Sequence, residues 1–152
     1  MKILLAAVNA KYIHSNLAVY SLKAYAEKSL AQSDCGGLNV KPDITIAEYT
    51  INQQEDEILR DIFQGKPDIL CLSCYIWNLT CVENIVREIH KVLPDTHIWL
   101  GGPEVSYDAR AVLGRLPEVD GIMMGEGEKT FLELVRFYCG GTESLAQIKG
   151  IA

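Results

Sequence analysis

Residues 67–104 read PDILCLSCYIWNLTCVENIVREIHKVLPDTHIWLGGPE, and this stretch decides the fold. Ile69–Ser73 is a short, nearly continuous apolar run, as a strand covered on both faces requires. Thr80–Leu93 follows, with Val82, Ile85, Val86, Ile89 and Leu93 spaced to form one apolar helix face. Thr80-Cys81-Val82-Glu83 offers a capping box at its start, and Pro94 stops it. His97–Leu100 is a second strand, running into Gly101-Gly102. Strand, amphipathic helix and strand in this order predict a crossover unit, the building block of a parallel sheet.

The same alternation extends in both directions. Ile3–Val8, Ile44–Glu48 and Gly121–Met124 read as strands. Leu17–Ala31, Glu55–Gln64, Val105–Leu116 and Phe131–Tyr138 read as helices, the second with Ile58, Leu59, Ile62 and Phe63 inward. Gly65-Lys66-Pro67-Asp68 is a helix-to-strand turn, and Cys35-Gly36-Gly37-Leu38 a further loop. Strand and helix repeated in this way predict an α/β, doubly wound, five-stranded parallel sheet with right-handed crossovers and the flavodoxin-like order 2-1-3-4-5. No internal repeat, linker or low-complexity segment interrupts it, so residues 1–152 are expected to be one domain.

Composition narrows the function. The 152 residues are 49% hydrophobic and 22% charged, ordinary for a globular domain with a single core. Twenty acidic against 14 basic residues give a net charge of −6, without the basic footprint that nucleic acid or an acidic membrane would require. The apolar run in Met1–Val8 is too short for a signal peptide or a membrane span, so a cytoplasmic location is expected. Five cysteines, at 35, 71, 74, 81 and 139, are an odd number and read as reduced thiols. Cys71 and Cys74 have C-x-x-C spacing, but strand residues three apart face opposite sides, and no second pair completes a zinc or iron–sulfur site. Cys71 is expected as a buried small hydrophobe, and Cys74 and Cys81 at a pocket mouth without chemistry.

Ligands of such sheets bind beyond the carboxyl ends of the strands, where the order reverses between strands 1 and 3. The loops there are Asn9–Asn16, Ser73–Asn78, Gly101–Glu104 and Gly125–Glu128. Two are glycine-rich, and two carry aromatics and small polar groups, which suits a large ligand lying close to backbone. Positive charge is limited to Lys11 and Lys129, a poor match for a naked phosphate. A receiver domain would need an acidic pair after strand 1 and an Asp after strand 3, where Asn9 and Ser73-Cys74 stand. Ala10-Lys11-Tyr12-Ile13 is not a flavodoxin phosphate loop, and the dinucleotide pattern G-x-G-x-x-G is absent after strand 1. Gly125-Glu126-Gly127-Glu128-Lys129-Thr130 is only superficially like a P-loop, because its carboxylates would repel phosphates.

Asn9-Ala10-Lys11-Tyr12-Ile13-His14-Ser15-Asn16-Leu17-Ala18, Gly101-Gly102-Pro103-Glu104 and Gly125-Glu126-Gly127-Glu128 together carry a resemblance. The chain resembles the N-terminal cobalamin-binding domain of B12-dependent radical SAM enzymes, the group of the magnesium-protoporphyrin monomethyl ester cyclases and many methyltransferases. The resemblance implies cobalamin as cofactor, bound by the four loops. Asn9, Ala10, Tyr12 and His14 would contribute after strand 1, and Ser73, Tyr75 and Trp77 beside the nucleotide tail or corrin edge. Gly101, Gly102, Pro103 and Glu104 would let the tail pass close to backbone, with Gly125, Glu126, Gly127 and Glu128 on the other side. It also implies that the chain is a piece of a longer enzyme, whose following radical SAM barrel carries a 4Fe-4S cluster and S-adenosylmethionine and performs methyl transfer or cyclisation. The ending Leu145–Ala152 resembles the strand that opens such a following segment.

Each residue also has a plainer reading. The glycines serve tight turns, and Glu126 and Glu128 complement a helix dipole without any ligand. Cobalamin proteins with a D-x-H-x-x-G motif ligate cobalt through its His, but here Tyr12 and Leu17 stand where the Asp and Gly would be. His14 is therefore expected as a loop or helix-capping residue rather than a cobalt ligand, and Tyr12, Tyr75 or Trp77 as cover for the lower cobalt face. The alternative function is a cofactor-free domain of the same fold, docking a substrate or protein through Tyr75 and Trp77. A stand-alone enzyme lacks a nucleophile–base pair.

Overall fold

Burial alternates along the strands and builds three layers. The computed structural model describes residues 1–12, 14–32, 38–141 and 144–152. Its strands are β1 (Lys2–Asn9), β2 (Asp43–Thr50), β3 (Ile69–Ser73), β4 (His97–Gly101) and β5 (Gly121–Met123), all parallel in the order β2-β1-β3-β4-β5. Between and after them lie α1 (Leu17–Gln32), α2 (Glu55–Gly65), α3 (Leu79–Val92), α4 (Pro103–Ser106), α5 (Ala109–Arg115) and α6 (Gly127–Tyr138). The doubly wound sheet expected from the sequence is present, with its order reversing between β1 and β3.

Side chains of alternate parity leave the sheet on opposite faces. Ala6, Val8, Leu70, Leu72, Ile98 and Leu100 pack against Ile58, Ile62, Ile85 and Ile89 of α2 and α3. Ile3, Leu5, Ile69, Cys71 and Trp99 pack on the other side against Val19, Phe131 and Val135 of α1 and α6. Cys71 and Cys74 consequently belong to opposite cores, as their spacing predicts. The edge of β5 is covered by the end of the chain, where Ile122 and Ala152 exchange backbone hydrogen bonds of 2.9 and 3.0 Å and Ile151 bridges Met123 antiparallel.

Several local expectations change. The helix expected over Val105–Leu116 is two, because Asp108 leaves helical geometry and caps the second by accepting from Ala111 N at 3.3 Å. The last helix starts at Gly127 rather than Phe131, so the glycine-rich loop already forms its first turn. The capping box at Thr80 is not formed: α3 begins at Leu79 after Asn78, whose side chain is used elsewhere. Phe63 is 42% exposed, because α2 turns only Ile58 and Ile62 fully into the core. The Gly65–Asp68 turn stands, with Lys66 in the left-handed region and its N–H on Ile62 O at 3.1 Å. Of the Cys35–Leu38 loop only Leu38 lies within the described residues, as does all of the first quoted loop except Ile13.

The central crossover carries the fold, so truncating its helix contact is costly. Ile85→Ala, at a fully buried position between α3 and the sheet, is expected to lower stability by about 2–5 kcal/mol, read from the urea unfolding midpoint.

Candidate functional site

Beyond β1 the chain passes to α1 on one face, and beyond neighbouring β3 it passes to α3 on the other. A crevice opens where they part. Its polar backbone is satisfied from within. Asn78, 1% exposed, donates from Nδ2 to Val8 O at 2.9 Å and Ser73 O at 3.0 Å, and its Oδ1 accepts from Tyr75 N at 2.8 Å. One amide thus ties the ends of β1 and β3 together. Next to it Cys74 N donates to Gly101 O at 2.7 Å. Gly102 follows at φ +112°, and a Cβ there would collide with the Cys74 carbonyl oxygen, so the close approach of the β3 and β4 loops requires glycine.

A second polar cluster pins the loop after β1. Glu48, on β2, accepts from Asn9 Nδ2 at 2.9 Å and Asn16 N at 2.8 Å through Oε1, and from Tyr20 Oη at 2.7 Å through Oε2. Asn16 caps α1 by accepting from Ala18 N at 3.1 Å, and its Nδ2 donates to Ser73 Oγ at 2.8 Å. Partial burial alone would raise the Glu48 carboxyl, but hydrogen bonds from Tyr20, Asn16, Asn9 and Ser15 outweigh it and hold the group below its ordinary 4.5. The Tyr20 hydroxyl is raised in turn, chiefly by its hydrogen bond to Glu48.

Between these clusters lies a cavity of about 340 Å³. Its floor is apolar: Leu5 and Cys71, paired in register midway down β1 and β3, with Met123 of β5. Ala18, Val19 and Leu22 of α1 form one wall, and Gly127 and Glu128 of α6 another. The cavity therefore penetrates below the sheet edge between α1 and α6. Burial pushes the Cys71 thiol up to about 12, so it faces the cavity as a neutral group.

Of the residues singled out in the sequence, Ser73, Tyr75, Gly101, Gly102 and Pro103 line this cavity, as do Gly125, Glu126, Gly127 and Glu128. Gly125 has φ +73°, and its missing Cβ would stand in open space. Glu128 is already engaged, accepting from Ser21 Oγ at 2.7 Å and tying α1 to α6. Asn9, Ala10, Tyr12, His14, Trp77 and Glu104 are not among the lining residues. Asn9 is turned to Glu48, while Tyr12, 92% exposed, and His14 stand on the surface beside the carboxyl edge. His14 does not cap α1; Asn16 does. Trp77 stacks on Tyr75 with centroids 4.6 Å apart and planes at 7°, so the pair forms one flat surface at the rim. Cys74 and Cys81 are not at the mouth: Cys74 is buried in the opposite core, and Cys81 sits on α3 within reach of Glu55. Asn16, Glu48 and Asn78 escaped the sequence reading. The available signal was a run of polar residues before a helix and a lone carboxylate within a strand.

Sheet, crevice and apolar floor define an α/β domain that takes a small organic ligand at its topological switch point. A family profile described as the B12 binding domain matches residues 3–135, and the chain belongs to that family. It is 34% identical over 70 residues to the cobalamin-dependent radical SAM methyltransferase TokK of Streptomyces tokunonensis, covering 46% of this chain and 10% of that protein. It is 28% identical over 109 residues to the anaerobic magnesium-protoporphyrin IX monomethyl ester cyclase of Cereibacter sphaeroides, covering 70% of this chain and 17% of the cyclase. The chain thus spans less than a fifth of either relative. Among solved structures, the radical enzyme OxsB with aqua-cobalamin and S-adenosylmethionine bound superposes with a TM-score of 0.76 at 19% identity, over 98% of this chain and 20% of that one. A cobalamin-binding protein of Desulfitobacterium hafniense superposes at 0.60 with 17% identity, over 90% of this chain and 58% of that one.

Two measurements check this geometry. Gly102→Ala is expected to cost about 2–4 kcal/mol, through strained backbone and the clash with Cys74, seen as a lowered Tm. Because folding lowers the Glu48 carboxyl, its contribution is complete above the ordinary value of 4.5 and is lost as the pH falls through the lower folded value. A Tm-against-pH series on Glu48→Gln should lie below wild type at neutral pH and converge on it in acid.

Proposed function

We propose that this domain holds cobalamin as the cofactor-binding part of a radical SAM enzyme. The observation that carries the reading is the apolar cavity reaching from the carboxyl edge down between α1 and α6 to Leu5 and Cys71. Membership of the B12-binding family, the fold shared with OxsB with aqua-cobalamin bound and that shared with a cobalamin-binding protein support it. The residues present fit the group. The cavity is walled mainly by aliphatic side chains, Gly125 leaves space open at its rim, and Ser73 offers a hydroxyl to ligand amides or phosphate oxygens.

In this reading the cavity takes the nucleotide tail, with Gly101 and Gly102 passing it along backbone. The stacked Tyr75–Trp77 surface at the rim would meet the corrin edge. When bound, cobalamin supplies a cobalt centre that can accept and pass on a methyl group. The chain's own residues would do the holding: the apolar floor would exclude water from the tail, and the Asn16 and Asn78 clusters fix the ends of β1 and β3 that border it. His14 would not ligate cobalt, and Tyr12, Tyr75 or Trp77 would cover the group from below.

The 4Fe-4S cluster and S-adenosylmethionine belong to a radical SAM barrel in the same chain, beyond the 152 residues, that carries out methyl transfer or cyclisation. A cytoplasmic site of action accords with free thiols at Cys71, Cys74, Cys81 and Cys139. Among the described residues no helix is long and apolar enough to cross a membrane.

Hydroxocobalamin mixed with the protein is expected to survive desalting, with corrin bands in the visible spectrum. Filling the cavity with Ala18→Phe should weaken retention at least about tenfold, a difference of about 1.4 kcal/mol. His14→Ala should leave the bound spectrum unchanged. Loss of the bands from the wild-type protein would overturn the reading, and a spectral change in His14→Ala would overturn the absence of a histidine ligand.

A further inference from the structure

Asn16 makes a bond that helix capping does not explain. We propose that Asn16 is a positioning residue of the cofactor site, fixing the Ser73 hydroxyl as a hydrogen-bond donor aimed into the cavity. The inference rests on the cobalamin reading above.

Asn16 is 9% exposed and held from three sides. Its backbone N–H is on Glu48, its Oδ1 accepts from Ala18 N, and its Nδ2 donates to Ser73 Oγ at 2.8 Å. The Ala18 bond assigns the amide: with Oδ1 on the helix N–H, the group facing Ser73 is NH2, which can only donate. Ser73 Oγ is therefore the acceptor in that contact, and its single hydrogen is not spent on Asn16. The Ser73 backbone carbonyl is already taken by Asn78. Ser73 lines the cavity, so the free hydrogen is available to an acceptor atom of the bound molecule.

Donation from Asn16 also polarises the hydroxyl and strengthens the bond it gives onward. Glu48 completes the arrangement from β2. By holding Asn9 and the Asn16 backbone on one oxygen, it sets where the amide stands relative to β3. A residue present only to cap α1 would need the Ala18 bond and nothing more.

Two variants separate capping from positioning. Asn16→Ser keeps a side chain suited to a helix N-cap but is too short to reach Ser73. Asn16→Asp keeps the cap and the shape, yet presents an acceptor to Ser73 and draws its hydrogen away from the cavity. Hydroxocobalamin affinity is measured by visible titration, with the Tm of each ligand-free protein recorded alongside. Both variants should bind about five- to tenfold more weakly, the size of one net hydrogen bond, with ligand-free Tm values close to wild type. In a Ser73→Ala background, Asn16→Ser should cost less than about twofold, because the hydroxyl it orients is gone.

In the ligand-free protein, the Asn16 side-chain amide protons should exchange slowly by NMR and speed up in Ser73→Ala. Equal losses with and without the Ser73 hydroxyl, or wild-type affinity in Asn16→Ser, would overturn the positioning role and leave the cobalamin reading standing. Failure of the wild-type protein to bind hydroxocobalamin would overturn both.

Discussion

Two neighbouring parallel strands cannot send their chains to opposite faces without stranding backbone polar groups at the point of parting. Here that point lies between β1 and β3, and the buried amide of Asn78 resolves it by donating to a carbonyl on each strand. Without such a partner, Val8 O and Ser73 O would stand unsatisfied in a site largely closed to water, at about 1–3 kcal/mol each. The crevice is thus a feature that the rest of the structure must keep open. Gly102 lets the next loop approach Cys74 from one side, and Asn16 with Glu48 anchors the loop on the other.

The cavity follows from these anchors. α1 buries only Val19 and Ala26, although it runs for 16 residues along the sheet. Its first turns also present Ala18, Val19 and Leu22 to the cavity, where Val19 packs on the sheet at the cavity's inner end. Asn16 ties the N-terminus of α1 to β3, and Ser21 ties α1 to Glu128 of α6. The space under the helix is thus bordered by polar bonds at its rim and by apolar side chains at its floor.

Most of the fold was legible because burial on both faces leaves a plain mark. Ile69–Ser73 reads as a strand from composition alone, and its bounds in the structure are the same. The loops that form the site were legible for a topological reason, since a sheet of this order can hold a ligand only beyond its strand ends. What escaped depends on pairings that sequence distance conceals. Glu48 is 32 residues from Asn16 and 39 from Asn9, and within its strand it looks like a solvated carboxylate. Leu5 and Cys71 looked like ordinary core, because nothing local distinguishes a side chain facing a void from one facing a neighbour. The break at Tyr107-Asp108 was hidden by apolar spacing that continues across it, and only the Asp108 cap decides against one helix.

The net charge of −6 also takes its meaning from the site. Acidic residues dominate the chain, yet Glu48 is bound by four donors beside the crevice and Glu128 by Ser21, which leaves Glu126 as the other carboxylate on the cavity wall. What faces a ligand is mostly aliphatic surface, glycine backbone and neutral hydroxyl, with negative charge and no positive charge on the wall. Such a wall gives little to a compact anion, whose desolvation only matching charge could offset. It suits a bulky molecule with an apolar end and scattered amides, gripped by shape and by a few oriented bonds.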